Sequence, residues 1–422
     1  MDPTPVATPA TFNRYTTSHP PGADPGPRPY GSARATVRTR ILIISDTHGV
    51  QLTTEPPPAN VDAPSSPCTL HGHSASRSPF HYPLPEADVV IHCGDLTKRS
   101  TIEEYRSTAA LLRGVRAPVK IVIAGNHDVS LHDSYYRERV ASFSKDDRPD
   151  FGWLSRNLAT NHDARTVIAS SSPDDGIIYV EEGTHDVVLP NGASLRVYTS
   201  PWTPSYGGWA FQYNGPHAFD IPADADVAVT HGPPKGVLDY AASGDRAGCE
   251  HLFRAVEKAR PRIHCFGHIH EAWGAYYGHW AEAPGVVGPD DTAMTEDDDP
   301  HDAYETFDSA SVLSISSNRS LPQQLPPPQT LRYFDTSRSR RLEDITTIKL
   351  APLIDSEDDT REKRARYAEY SALGCRPVDI TMEGDIPVEK GQQTLFLNAA
   401  ILDRRYKIAQ FPWLVEIDLP MA

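Results

Sequence analysis

Residues 119–128 read VKIVIAGNHD: an apolar, largely β-branched run that stops at once in glycine, asparagine, histidine and aspartate. A short apolar run closed by a turn residue reads as a buried strand, and the polar residues behind it stand where a strand end can present chemistry. The same arrangement occurs five times. Residues 41–45 (ILIIS) lead into Asp46-Thr47-His48, residues 89–93 (VVIHC) into Gly94-Asp95, and residues 119–124 into Gly125-Asn126-His127-Asp128. Residues 227–230 (VAVT) lead into His231-Gly232, and residues 263–266 (IHCF) into Gly267-His268-Ile269-His270. Singly, an Asp-x-His or a Gly-His-x-His behind a strand is more often a capped turn than a ligand set. In an open sheet with crossover helices, however, the carboxyl ends of neighbouring strands share one rim, so five such clusters are expected to converge on a single crevice.

Working outward, the 422-residue chain carries 39 prolines and 27 glycines, too many for uniform packing. Apolar residues concentrate in 41–277 and return near the end. We expect residues 1–39 to be a disordered tail and 40–278 to be a catalytic core, interrupted by a Pro-, Ser- and His-rich loop insertion at 51–86. Residues 279–392 read as an acidic, proline-rich and charged insertion, with a solvent-facing charged helix at 356–372. Residues 393–422 read as closing strands of the core.

Inside the core, Ser100-Thr101-Ile102-Glu103 fits a capping box for a helix that ends at Gly114, so this helix and its flanking strands form a βαβ unit. A second helix is expected over 131–143 and a third over 249–260. Residues 177–198 read as strands joined by a turn at Pro190-Asn191-Gly192. His92 and His264 lie inside apolar strands and read as core or partner-bonded, Asn398 as a satisfied polar residue, and His71 and His73 as insertion residues rather than ligands.

A net charge of −16 works against non-specific attraction to nucleic acid and leaves a small anionic ester as the easier substrate. Five cysteines without C-x-x-C spacing suggest a reducing compartment. Residues 1–31 lack an apolar signal core, and no run approaches the ~20 apolar residues of a membrane span, so a soluble, cytoplasmic protein with no membrane partner is expected. Protein partners of the disordered segments cannot be named from composition.

Two divalent ions about 3.5–4 Å apart need a shared carboxylate and several neutral donors, and together they activate a water. The five strand ends offer that inventory. In this order, D-x-H, GD, GNH[D/E], an isolated His and G-H-x-H resembles the calcineurin-like metallophosphoesterases. Ser200-Pro201-Trp202-Thr203-Pro204, Trp209-Ala210-Phe211 and His231-Gly232-Pro233-Pro234 extend the likeness to the small eukaryotic metallophosphoesterase-domain proteins and the bacterial class III cyclic-nucleotide phosphodiesterases. The resemblance implies an α/β (α+β four-layer) β-sandwich flanked by helices. It also implies two divalent ions, Mn, Fe or Zn, with Asp46, His48 and His270 on one, Asn126, His231 and His268 on the other, and Asp95 bridging.

By the same likeness, His127 is the general acid for attack by metal-bridging hydroxide on a small phosphodiester or cyclic nucleotide. Asp128 is the nearest residue to orient its imidazole, and Trp202 and Lys235 are substrate-contact candidates, with Trp209 and Tyr213 as further rim aromatics. The chain departs from the phosphoprotein phosphatases of this superfamily, whose second motif runs G-D-x-x-D-R-G, by having Lys98 and Ser100 at the Asp and Gly positions. Two other readings stand beside the diesterase: a metal-binding nucleotide sensor or scaffold with low turnover, and a phosphomonoesterase or phosphoprotein phosphatase.

Overall fold

In the five ligand-bearing strands, every residue is buried over the last three or four positions, yet successive side chains enter different cores. Ile41 and Ile43 point one way with Val89, Ile91, Val119 and Ile121, while Leu42, Ile44, Val90 and Val122 point the other. This is the period-two alternation of a strand covered on both faces. The computed structural model describes residues 16–26, 35–52, 79–143, 157–169, 175–281, 333–344 and 357–422.

Two mixed sheets face each other. One has the order β14 (Arg376–Asp379), β16 (Trp413–Pro420), β2 (Thr36–Ile44), β3 (Val89–His92), β4 (Val119–Val122), β5 (Ile177–Tyr179). The other runs β1 (Thr16–His19), β6 (Gly183–Val188), β7 (Ser194–Ser200), β10 (Val227–Thr230), β11 (Ile263–Phe266), β15 (Gln393–Asn398), β12 (Gly274–His279), β13 (Arg340–Asp344). A two-residue pair, β8 (Thr203–Pro204) with β9 (Gln212–Tyr213), stands apart.

The inward faces of both sheets share one core, in which Ile43, Ile91, Val229 and Cys265 are fully buried. Each of the three aliphatic side chains in that set contributes about 1.5–3 kcal/mol. On the outer face of the first sheet lie α1 (Ile102–Gly114) and α3 (Asn161–Ala169). Leu252, Phe253 and Val256 of α4 (Glu250–Ala259) cover Tyr198, Phe266 and Phe396 on the outer face of the second. The architecture is therefore helix, sheet, sheet, helix. Instead of five neighbours in one open sheet, three ligand strands, β2, β3 and β4, run parallel in one sheet, and β10 and β11 run parallel in the other.

Five local expectations need correction. The capping box is shifted by one residue: Thr101 is the N-cap of α1 and is paired reciprocally with Glu104, while Ser100 takes a positive φ of 59° and bonds Tyr105 and Ser130. Thr16–His19, placed in the disordered tail, is an edge strand antiparallel to β6, held by Ser18 Oγ to His185 Nδ1 at 2.8 Å and by His19 to Asp186 at 3.3 Å. Within 279–392, β13 and β14 are members of the two sheets, not insertion. The charged helix forms as α5 (Glu357–Leu373), but it is not wholly solvent-facing, since Tyr367 and Tyr370 pack on Phe411. The expected 51–86 insertion also ends too late, since Phe80 and Leu84 are buried in the core on the outer face of the first sheet; residues 53–78, with His71 and His73, and residues 1–15, 27–34, 282–332 and 345–356 lie outside the described residues.

The second helix, α2, spans Asp133–Phe143, and the hairpin β6–β7 turns at residues 189–193. His92 bonds Thr47 Oγ1 and His264 bonds Thr230 Oγ1, each at 2.9 Å. Asn398 donates to the Ile269 carbonyl and accepts from Ala400 N. Among the described residues no helix is long and apolar enough to cross a membrane.

Candidate metal centre

Immediately past the parallel strands the backbone bends. Asp46, His48, Asp95 and His268 all have φ between 46° and 68°, a left-handed conformation that non-glycine residues rarely take. Hydrogen bonds hold the bent segments together: Asp46 N to Gly94 O and His48 N to Asp95 O, both 3.0 Å, and Gly267 N to His231 O, 2.9 Å, the last within the second sheet. The motif glycines are there because nothing larger fits. A Cβ at Gly125 would stand 2.3 Å from Asp95 Oδ1, and one at Gly267 would stand 1.9 Å from Asp46 Oδ2.

The two sheets thus bring all seven ligand candidates to one place. Asp46, His48 and His270 form one group able to hold an ion, and Asp46, Asp95 and His231 form another. Asp95 reaches both histidine sets, with Oδ2 3.6 Å from His48 Nε2 and Oδ1 3.3 Å from His231 Nε2. His270 Nε2 is 3.4 Å from Asp46 Oδ1. The His268 ring lies edge-on to that of His231, 5.0 Å between centroids, and its backbone N–H donates to Asp46.

Three of the four imidazoles are aimed by main-chain carbonyls. Nδ1–H donates to Thr97 O from His48 (2.9 Å), to Cys93 O from His231 (3.0 Å) and to Asp403 O from His270 (3.2 Å). A carbonyl only accepts, so in the neutral ring the lone pair is left on Nε2, facing inward. Inward-facing acceptors then crowd one another: His231 Nε2 is 2.8 Å from Asn126 Oδ1, and His48 Nε2 is 3.2 Å from His270 Nε2. Asp46 and Asp95 are buried with no Lys or Arg pairing them among the described residues. Buried carboxylates and converging lone pairs need a cation. Oxygen and imidazole donors without thiolate suit Mn, Fe or Zn.

Electrostatics agree with that donor set. Burial opposes the ionised form of Asp46, but its hydrogen bond to His270 and the surrounding imidazoles hold its carboxyl far below the usual range. Burial pushes His48 down to about 4 and His268 down to about 3. For His270 burial acts in the same direction, yet Asp46 overrides it and raises the group to about 9, so a cation bound there would displace a proton.

An open cleft of about 260 Å³ lies against Asp95, Asn126, His268 and His270, and its remaining wall is His127, Tyr206, Trp209, Glu271, Arg404 and Tyr406. His127 is there as expected, but Asp128 does not orient it. His127 Nδ1 donates to Lys98 O at 2.9 Å, whereas the buried Asp128 carboxylate accepts from Leu96 N, Thr97 N, Thr97 Oγ1 and Gly125 N and so fastens the β3 and β4 loops together.

Neither of the two substrate-contact candidates lines the cleft. Trp202 packs against His132, Phe211 and His217, and the Lys235 ammonium is spent on the Arg246 carbonyl. Tyr213 is turned onto His217 and Cys249. Trp209 is the aromatic that faces in, its ring 4.2 Å from that of His127, on a loop tied down where the Tyr135 hydroxyl donates to Gly208 O. Sequence reasoning missed Tyr206, Arg404 and Tyr406. A signal was present in residues 404–407, a basic and aromatic run just past a closing strand in an acidic chain.

The sequence pattern of the calcineurin-like phosphoesterases matches residues 39–272, from within β2 through the last histidine cluster. The chain belongs to the calcineurin-like phosphoesterase family. Among curated relatives, human metallophosphoesterase domain-containing protein 1 is 32% identical over 230 residues, 51% of this chain and 65% of that protein. A protein of Emericella nidulans called probable rhamnogalacturonate lyase C is 35% identical over 202 residues, 47% of this chain but 16% of its own length. The chain thus covers less than two thirds of either protein. Among solved structures, purple acid phosphatase PPD1 from yellow lupin (Lupinus luteus) seeds aligns with TM-score 0.30 and 13% identity over 59% of this chain and 40% of that one. The ligand motifs shared with the calcineurin-like phosphoesterases all fall inside the matched segment, whereas Arg404 and Tyr406 lie beyond it.

Proposed function

We propose that this protein is a binuclear-metal phosphodiesterase acting on small phosphodiesters, cyclic nucleotides among them. The observation that carries the reading is Asp95, whose two oxygens face His48 and His231 while lone pairs of the neighbouring donors converge. In this reading Asp46, His48 and His270 hold one ion, Asn126, His231 and His268 the other, and Asp95 is shared. When bound, two divalent ions supply an activated water and a charge sink for the phosphoryl oxygens.

The chain's own groups do the rest. With Nδ1 committed to Lys98 O, His127 transfers protons through Nε2, at the wall of the cleft where a leaving oxygen would lie. Trp209 against its ring limits rotation and keeps bulk water from that face. Asp128 holds the loops of Asp95 and Asn126 in register. The leaving oxygen of a diester needs a proton as its P–O bond breaks, and the ester carries a single charge, which suits a positioned acid beside a charge sink. Net charge disfavours nucleic acid as the partner. Buried free Cys93, Cys249, Cys265 and Cys375 fit the reducing, cytoplasmic setting this reading supposes.

Steady-state kinetics on one Mn²⁺-loaded preparation test the proposal. The expected result is a higher kcat/KM for 2′,3′- or 3′,5′-cyclic nucleotides and chromogenic diesters than for any phosphoserine or phosphothreonine peptide. A preference for phosphopeptides would replace the reading with a phosphoprotein phosphatase, and metal binding without turnover would replace it with a sensor.

A further inference from the structure

Charge accounting at the metal centre leaves one group without a role. Two divalent ions carry four positive charges, which Asp46, Asp95, the nucleophile and the single charge of a diester would balance. Arg404 is then surplus. Its exposed side chain lines the same cleft as His270, and it makes no ion pair or hydrogen bond with a described residue. The acids nearest in sequence or in the cleft are engaged. The Asp403 carboxylate accepts from Arg405 N (2.9 Å) and Lys407 N (3.0 Å), and Glu271 accepts from Ala242 N. Backbone N–H groups thus hold both carboxylates, and in a chain of net charge −16 the Arg404 guanidinium is left without an ion pair among the described residues, its donors free for an anionic ligand in the cleft. Lys98 Nζ stands 3.5 Å over the ring of Tyr406, another residue of the cleft wall.

We propose that Arg404, assisted by Lys98 at Tyr406, binds a second phosphate group, and that the preferred substrate is a small phosphodiester bearing a further phosphate monoester. This rests on the phosphodiesterase reading and narrows it. A guanidinium presents paired donors that match phosphate oxygens, and Arg404 lines the same cleft as Asp95, Asn126, His268 and His270 without belonging to their donor set.

Two chromogenic esters that differ only in the second phosphate decide the matter: thymidine 5′-(4-nitrophenyl phosphate) and the same compound phosphorylated at the 3′ oxygen. The metal-loaded wild type is expected to hydrolyse the 3′-phosphorylated ester with a kcat/KM about fivefold higher, as a partly exposed ion pair allows, and the advantage should shrink in about 0.5 M salt. In Arg404→Gln the ratio should fall toward one, while Arg404→Lys should keep part of it. A wild-type ratio of one or below, or a ratio that survives Arg404→Gln, overturns the second-phosphate site while leaving the phosphodiesterase reading in place. Hydrolysis of neither ester removes both.

Discussion

The Nδ1 of His127 donates to the main-chain carbonyl of Lys98 at 2.9 Å. The family pattern puts an acid at position 98 in phosphoprotein phosphatases, and a lysine there removes the carboxylate but not the backbone oxygen of the same residue. The bond orients the imidazole and fixes its tautomer without adding negative charge beside the leaving group. It also frees Asp128, whose carboxylate is surrounded by three backbone N–H groups and a hydroxyl, to act as a fastener between two loops.

His127→Ala is expected to keep its metal and lose rate by about 10²–10⁴-fold on esters with poor leaving groups, and by less on 4-nitrophenyl esters. Elemental analysis with kcat measured across a leaving-group series checks this. Full rate on an alkyl ester would remove His127 from proton transfer.

Asp128→Asn should behave quite differently. An amide turned toward four donors leaves at least one of them unsatisfied in a buried setting, at a cost of about 1–3 kcal/mol. The expected outcome is a lower Tm together with weaker metal retention, both read by thermal melts at graded Mn²⁺. An unchanged melting curve would mean that the loops need no such fastener.

The metal-loaded protein should contain two ions per chain, and chelation should lower Tm because an ion that binds only the folded state stabilises it in proportion to the logarithm of its concentration. Asp95→Ala, which removes the carboxylate reaching both histidine sets, should lose most of the metal. A saturating stoichiometry of one would exclude the binuclear arrangement.

Removal of residues 1–26 should destabilise the protein and promote self-association, because it strips β1 from β6 and exposes an unpaired strand edge. Light scattering of the truncated and full-length chains tests this. Indistinguishable profiles would show that β1 contributes little.

How much of this was legible in the sequence depended on range. The ligand candidates are read easily because each sits within a few residues of its own strand end. The division of those strands between two sheets was hidden, since residues such as Ile41, Leu42, Ile43 and Ile44 are buried on both faces and show no polar alternation. Thr16–His19 has no apolar pattern at all and is recognisable only through its partners on β6. Ser100 and Thr101 both suit an N-cap, and the reciprocal bonds of Thr101 with Glu104, beside the positive φ of Ser100, assign the role to Thr101. Lys235 is near the ligand His231 in sequence, yet its loop turns the side chain away, while Arg404 reaches the cleft from far along the chain.

All seven ligand candidates precede residue 271, yet part of the framework that places them is made after them. β2, which delivers Asp46 and His48, has the C-terminal strand Trp413–Pro420 as one of its two neighbours. β11, which delivers His268 and His270, is flanked by Gln393–Asn398, and His270 takes its orientation from the carbonyl of Asp403. Contacts of such sequence separation form late and slowly. A nascent chain therefore carries a complete set of candidate donors before two of the strands that flank them exist, and loss of Trp413–Pro420 would keep every candidate in the chain while stripping β2 of one neighbour.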